Sequence, residues 1–226
     1  MDPQDKLKFI EEIIQFPQRS PGWFKQREGR LTASDAATAL GINPYQGPME
    51  FVFKKNWASA PFKGNVACAH GQKYEDEAIE KYCKIMGKTN HDFGLIEMRS
   101  IDPIRKHKKL KKFEKKTGID TTFLAGSPDG IAIDNRGFED LILLEVKCPY
   151  RRKIINGYCP DYYLPQVQLN MAIFDIEKAD FIEYTPAGVA PKFLKEDELN
   201  IVRIHRDYNW FAKNVPILDK AWKEVI

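Results

Sequence analysis

No stretch of the 226-residue chain is apolar over anything near the ~18 residues that a membrane-crossing helix requires. The N-terminus also lacks the apolar centre of a secretory signal peptide. No membrane association and an intracellular location are therefore expected. Cysteine is scarce and dispersed: Cys68, Cys83, Cys148 and Cys159 form no CxxC pair and no His–Cys cluster. That pattern excludes a zinc-ribbon site and predicts reduced thiols. Excess charge is small as well. Lys and Arg number 35 against 32 Asp and Glu, a net charge of +3, so affinity for nucleic acid would have to come from local clustering. There is no internal repeat and no low-complexity segment. The length suits one well-buried domain and is short for two, so a single domain over residues 1–226 is expected.

What the chain does contain is concentrated between Gly126 and Tyr150. Residues 141–146 have the branched, apolar character of a strand buried on both faces. Glu145 and Lys147 interrupt it two residues apart, so their side chains share a side. Upstream, Asp129 lies in a Pro-Asp-Gly turn that opens a second strand, Ile131 to Asp134. A turn at Asn135-Arg136-Gly137 would pair the two strands as a hairpin and bring Asp129 beside Glu145 and Lys147. Such a set suits a divalent cation, because Mg2+ prefers carboxylate and carbonyl oxygens and takes few protein ligands. Asp129, Glu145 and the carbonyl of Val146 are the candidate ligands, with Lys147 orienting or helping to deprotonate a water. A turn aspartate beside a buried Glu–Lys ion pair is the alternative reading of the same residues.

Elsewhere the residues admit two readings each. Residues 2–16 read as a helix capped by Asp2, with Leu7, Ile10, Ile13 and Ile14 inward. Trp23 and Arg27 are four apart and would share a helical face, and Thr32 or Ser34 would cap the helix that follows; packing alone explains both. A helix is expected over Met49–Trp57. A longer one over 65–86, stopped by Gly87, places Ala67, Tyr74, Ala78, Tyr82 and Met86 on one face with Glu75 at its border. Residues 92–98 and 121–125 read as strands. Between them, Arg105, Lys106, Lys108, Lys109, Lys111, Lys112, Lys115 and Lys116 form a solvated loop or a contact for a nucleic-acid backbone. Arg151, Arg152 and Lys153 follow the signature strand. A helix over 162–171 carries Gln166 and Gln168, strands follow at 179–184 and 199–204, and Asp207 caps a last helix kinked or broken at Pro216.

Ser127-Pro128-Asp129-Gly130 followed by Glu145-Val146-Lys147-Cys148-Pro149 resembles the nuclease motif PD-(D/E)xK. In detail it resembles the lambda exonuclease, or YqaJ viral recombinase, branch of that superfamily. The Trp23-to-Arg27 step with Thr32-Ala33-Ser34, the Gly71-x-x-Tyr74-Glu75 helix and Gln166-Val167-Gln168 match the branch in order, over residues 23 to about 185. The clustered cysteines of an iron–sulfur branch are missing. The resemblance implies an α/β fold with a restriction-endonuclease-like core, a central mixed β-sheet flanked by helices. It implies Mg2+-dependent (Mn2+ substituting) 5′→3′ digestion of linear double-stranded DNA, with two ions per site, leaving 3′ single strands for an annealing recombinase. It further implies a homotrimeric ring around DNA, in a bacterial host or an infected cell. By the same matching, Glu75 is a third acid acting through water, Gln168 an active-site residue supported by Gln166, and Arg27 and Ser34 the 5′-phosphate contacts. Lys108, Lys109, Lys111 and Lys112 would then line the ring, with Arg151 and Arg152 also facing DNA. Another nuclease on this fold, an endonuclease or an RNA-degrading viral relative, and a non-catalytic DNA-end binder are the alternatives.

Overall fold

The computed structural model describes residues 1–56, 64–105, 109–134 and 140–225, without the side chain of residue 109. Lys106, Lys108 and the turn at 135–137 thus lie outside the described residues. The helices are α1 (Pro3–Glu12), α2 (Pro21–Glu28), α3 (Ala36–Ala39), α4 (Pro48–Asn56), α5 (Val66–Met86), α6 (Lys109–Thr117), α7 (Leu164–Phe174) and α8 (Tyr208–Lys223). The strands are β1 (Leu31–Thr32), β2 (Lys88–His91), β3 (Ile96–Glu97), β4 (Leu124–Gly126), β5 (Gly130–Asp134), β6 (Ile142–Lys147), β7 (Lys178–Thr185) and β8 (Glu198–His205). They form a five-stranded sheet in the order β2-β5-β6-β7-β8 and a small sheet in the order β1-β4-β3.

The central strand β6 shows how the two layers form. It pairs antiparallel with β5 and parallel with β7, and a parallel pair needs a crossover, which residues 148–177 supply with α7. Alternation sends Ile142, Leu144 and Val146 to one face, where they pack with Tyr74, Ala78 and Tyr82 of α5. Leu143 goes to the other face and joins the larger core around Val167, Leu169, Met171, Ile173 and Phe174 of α7. That core continues to Leu31 of β1, Leu124 of β4 and Ile96 of β3, so α7 lies between the two sheets. Helices therefore cover both faces of a mixed sheet, as expected from the sequence.

Several boundaries differ from the sequence expectation. Helix α1 stops at Glu12, and Ile14 is exposed rather than inward. Asp2 caps the helix as expected, its side chain accepting from the Gln4 amide. Helix α5 has its cap at Asn65 and its stop at Gly87, which adopts the left-handed conformation at φ 63°, but Ala67 and Met86 face solvent. The expected strand over 92–98 is interrupted at Gly94. There the chain passes so close to residues 15 and 16 that a Cβ would fall on the Phe16 carbonyl oxygen, and the Gly94 amide donates to Gln15 Oε1 at 2.6 Å. Residues 121–123 form a turn capped by Asp120 rather than the start of a strand. Helix α8 runs through Pro216, because Val215, Leu218 and Trp222 bury one face and Trp222 stacks on Phe123 at 6.1 Å. That packing outweighs the backbone bond a proline removes.

From Lys109 to Thr117 the basic segment is a helix rather than a loop. Leu110 is buried, Phe113 meets Phe211 edge-on at 5.3 Å, and Lys111, Lys112, Lys115 and Lys116 are exposed. Arg105 departs from the expected DNA-facing run: it is turned inward, donating to the carbonyls of Met98, Ala172 and Ile173 and to Asp102.

Gln168 also has a structural place. Its Nε2 donates to the His205 carbonyl at 2.9 Å, and its Oε1 accepts the Asp207 amide at 2.8 Å, joining the end of β8 to the cap of α8. Gln168→Ala would remove both hydrogen bonds, each contributing about 1 kcal/mol. The expected outcome is a fall in Tm of roughly 4–8 °C, measured by calorimetry. An unchanged Tm would mean that the junction is held by other bonds.

Candidate active site

The Pro-Asp-Gly turn delivers Asp129 to the end of β6. The Asp129 amide donates to the Leu144 carbonyl at 3.1 Å, and its Oδ2 accepts the Val146 amide at 2.6 Å. The carboxylate thus caps the strand that carries Glu145 and Lys147. Gly130 beside it leaves the space that the Asn90 side chain occupies. Glu145 and Lys147 share a side, as the alternation predicts, and the Lys147 ammonium donates directly to Glu145 Oε1. The same ammonium lies 3.9 Å from Asp129 Oδ2 and 5.5 Å from the centre of the Tyr163 ring. Glu145 is fully buried.

Glu75 reaches the same place from α5. Its carboxylate meets the Arg19 guanidinium at 2.8 Å. Burial first and the Asp129 carboxylate second push the Glu75 carboxyl above its ordinary range, while Arg19 and Lys147 pull it back. Glu145 is pushed up to about 8, chiefly by its burial; Lys147 opposes this, whereas Asp129 and Glu75 add to it. Lys147 shows the converse: burial alone would lower its pKa, but Glu145 and Asp129 raise it and keep it an ammonium.

Glu75 and Glu145, both raised by burial and by the Asp129 carboxylate beside them, form with Asp129 a cluster of acids around Lys147, the chemistry that a hard divalent cation satisfies. Asp129, Glu145 and the Val146 carbonyl could hold such an ion, with Glu75 coupled electrostatically to Asp129 beside them. Among the described residues, no group of three His, Cys, Asp or Glu side chains is already drawn together tightly enough to enclose an ion. Asp129 is engaged by the Val146 amide, Glu145 by Lys147 and Glu75 by Arg19. The set therefore fits a cation held by few protein ligands and completed by water.

A second cluster is tied to the first. The Arg27 guanidinium stacks over the Trp23 ring at 4.3 Å and donates to Ser34 Oγ at 2.9 Å and Thr32 Oγ1 at 3.2 Å. Behind it lies Asp35, buried, bonded to Thr32 and paired with Lys55 at 2.9 Å. Burial would raise the Asp35 carboxyl, yet Lys55, Lys54 and Arg27, with the Thr32 hydroxyl, hold it well below the usual carboxylate range. Trp23 Nε1 donates to Ser127 Oγ at 3.2 Å, and Gln18 Nε2 donates to the Pro128 carbonyl at 2.8 Å. The first bond ties the Arg27 cluster to the loop that carries Asp129, and the second ties that loop to the segment leading into α2.

The structure thus brings together Asp129, Glu145, Val146, Lys147 and Glu75, and places Arg27 with Ser34 beside them. It does not bring Gln168 there, since both ends of its amide serve the β8–α8 junction. The residue of α7 that faces the acids is Asn170, whose Nδ2 lies 3.4 Å from Glu145 Oε2. Its Oδ1 occupies the space a Cβ on Gly126 would need. Tyr163, Gln166 and Asn170 are spaced by three and four residues, so Gln166 falls on the same face as the two that touch the site. That spacing was available in the sequence. Arg151 is exposed over Tyr150, whereas Arg152 donates to the buried Glu183 carboxylate. Glu183, Asn200, Arg19 and Lys55 went unrecognised in the sequence. Of these, only Glu183 carried a signal, an acid interrupting the apolar run of β7.

Residues 22–177 match the model of the YqaJ-like viral recombinase domain. An uncharacterised protein of Acanthamoeba polyphaga mimivirus is 30% identical over 189 residues, covering 79% of this chain and 31% of the relative. A protein of African swine fever virus (tick isolate, South Africa) is 27% identical over 192 residues, covering 69% of this chain and 46% of the relative. The chain thus spans less than half of the length of these relatives. The crystal structure of an alkaline exonuclease, LHK-Exo from Laribacter hongkongensis, superposes with a TM-score of 0.63 at 22% identity, covering 91% of this chain and 92% of that one. The likeness establishes a shared restriction-endonuclease-like fold. With its family model matched from α2 through α7, the chain belongs to the YqaJ-like viral recombinase family.

Proposed function

We propose that residues 1–226 form a single nuclease domain that digests one strand of linear double-stranded DNA in the 5′→3′ direction. The observation that carries this reading is the joining of two clusters: the Asp129–Glu145–Lys147 set is tied through Ser127 to Trp23 of the Trp23–Arg27–Ser34 cluster. A guanidinium fork with adjacent hydroxyls suits a terminal phosphate. The carboxylates and carbonyl suit Mg2+, or Mn2+ in its place, and two ions per site are part of the proposal. When bound, the cation supplies Lewis-acid polarisation of the phosphoryl group and stabilises developing charge.

The chain's own residues have separable tasks. Asp129 and Glu145 hold the cation, and the Val146 carbonyl completes the protein share. Glu75 accepts from water at the edge of the site. Lys147, an ammonium in this arrangement, donates toward phosphate oxygen and orients water, while Tyr163 beneath it limits its motion. Asn170 keeps the Glu145 carboxylate turned toward the site. The products would be 3′ single-stranded tails for an annealing partner. A homotrimeric ring fits a chain whose net charge of +3 gives little long-range hold on DNA.

The direct test compares 5′-phosphorylated linear duplex with closed circular DNA, in Mg2+ and in EDTA. Digestion of the linear substrate alone, in Mg2+ alone, is expected; cutting of the circle would indicate an endonuclease. Asp129→Ala, Glu145→Ala and Lys147→Ala should each abolish turnover while far-UV circular dichroism stays native. Near-normal activity of Lys147→Ala would remove the assigned chemistry.

Arg27→Ala should slow digestion of 5′-phosphorylated ends by the ~10–100-fold that a charge-assisted bond of about 1.5–3 kcal/mol implies. It should also erase their advantage over 5′-hydroxyl ends. Equal wild-type rates on both ends would rule out the phosphate role.

The exposed lysines of α6 give a third test. Replacing Lys111 and Lys112 with Gln should flatten the log–log salt dependence of duplex binding by about 0.9 for each phosphate that is no longer neutralised. An unchanged slope identifies α6 as a solvated surface, and a monomeric mass in light scattering at micromolar concentration rules out the ring.

A further inference from the structure

The side of β6 and β7 that carries Glu145 and Lys147 holds a second buried acid. Glu183 pairs in register with Lys147, is fully buried, and lies on the sheet face that α7 covers. A carboxylate in that position is costly unless it is paired and hydrogen-bonded. Its two oxygens are served separately. Arg152 donates to Oε1, and Asn200 Nδ2 donates to Oε2 at 3.1 Å. Asn200 in turn accepts from the Gly157 amide at 2.9 Å and donates to the Tyr158 carbonyl at 3.1 Å, so the acid and the loop after Arg152 are held by one residue of β8.

Arg152 is not consumed by this pairing. It also donates to the carbonyl of Lys153, which leaves further guanidinium N–H groups for a ligand, and its side chain keeps 27% of its surface open. It lies 5.9 Å from the centre of the Tyr163 ring, the ring that carries Lys147 at 5.5 Å. Two cations thus share one aromatic support, Lys147 reaching Glu145 and the partly open Arg152 reaching Glu183. A buried acid whose only task was to be neutralised would need no half-open arginine, whereas a fixed phosphate contact needs an anchored one.

We propose that Glu183 is a positioning residue: with Asn200 it locks the Arg152 guanidinium beside Tyr163, where it grips the phosphate next to the one addressed by Lys147. This assignment rests on the nuclease reading above. It names a substrate contact that is assembled from the loop after β6, β7 and β8 rather than from the signature residues.

The experiment uses the full chain with Glu183→Gln, Arg152→Lys and the double variant. Duplex binding is measured by fluorescence anisotropy in EDTA, and steady-state cleavage is measured in Mg2+. Glu183→Gln preserves shape, so each folded variant is checked by its Tm. Both single variants are expected to weaken duplex binding about tenfold and to raise KM with kcat nearly retained. The double variant should be no worse than Arg152→Lys alone, because the acid acts through the arginine. Wild-type affinity in Glu183→Gln, or effects that multiply in the double variant, would overturn the assignment. If Glu183→Gln unfolds, Asn200→Ala replaces it with the same expectations. A wild-type protein that binds duplex without cutting it defeats the nuclease reading and leaves the binding comparison to decide this one; a wild-type protein that does not bind defeats both.

Discussion

The Glu145 carboxylate is sealed from water, and much of the site follows from making that burial tolerable. Its charge is opposed by one ammonium two residues along the same strand, while two further acids, Asp129 and Glu75, work against it. A buried pair of this kind is often less stable than apolar residues of equal volume. Strand β6 could have continued as the branched apolar run with which it begins, so the charges are retained at the expense of stability. A bound cation would reverse the balance by turning mutual repulsion among the acids into shared attraction. The same arrangement recurs one strand away, where Glu183 is sealed and answered by Arg152 and Asn200.

Position is supplied by elements that carry no chemistry of their own. Helix α7 packs its apolar side chains against both sheets and thereby sets Tyr163 and Asn170 over the end of β6. The small sheet brings β4, and with it Ser127, within reach of Trp23 on α2. Because β4 leads directly into the Asp129 turn, a displacement of α2 would be felt at the acids through a few bonds. The Arg27 cluster is anchored from behind by Asp35 and Lys55, with Lys55 also donating to the carbonyls of Arg27 and Arg30. An arginine held this way would lose little side-chain freedom on binding an anion.

The chain's match to the YqaJ-like viral recombinase domain runs from α2 through α7, while β8 and α8 lie beyond it. Those outer elements nevertheless contribute to the site's surroundings. Asn200 comes from β8, and the β8–α8 junction is where Gln168 is spent. Residues that carry the family pattern therefore depend on partners that lie outside it.

Local chemistry made a good part of this legible in advance. The alternation in β6 set Glu145 and Lys147 on one side, the Pro-Asp-Gly turn placed Asp129 before β5, and the spacing in α5 put Tyr74, Ala78 and Tyr82 inward with Glu75 at their edge. Trp23 and Arg27 met as their four-residue separation required. Each of these depends on strand or helix periodicity over a few residues, which a sequence encodes directly. The rest depended on which elements became neighbours. Gln168 and Asn170 are two residues apart on one helix, and only the placement of β8 on one side and β6 on the other decided that the first bridges backbone groups and the second faces the acids. Arg105 turned inward because α7 ended with open carbonyls beside it. Arg19, Lys55, Asn200 and Glu183 entered through contacts between segments far apart in the chain. Periodicity determines the direction of a side chain from its own backbone, but its partner is determined by packing, which no local pattern records.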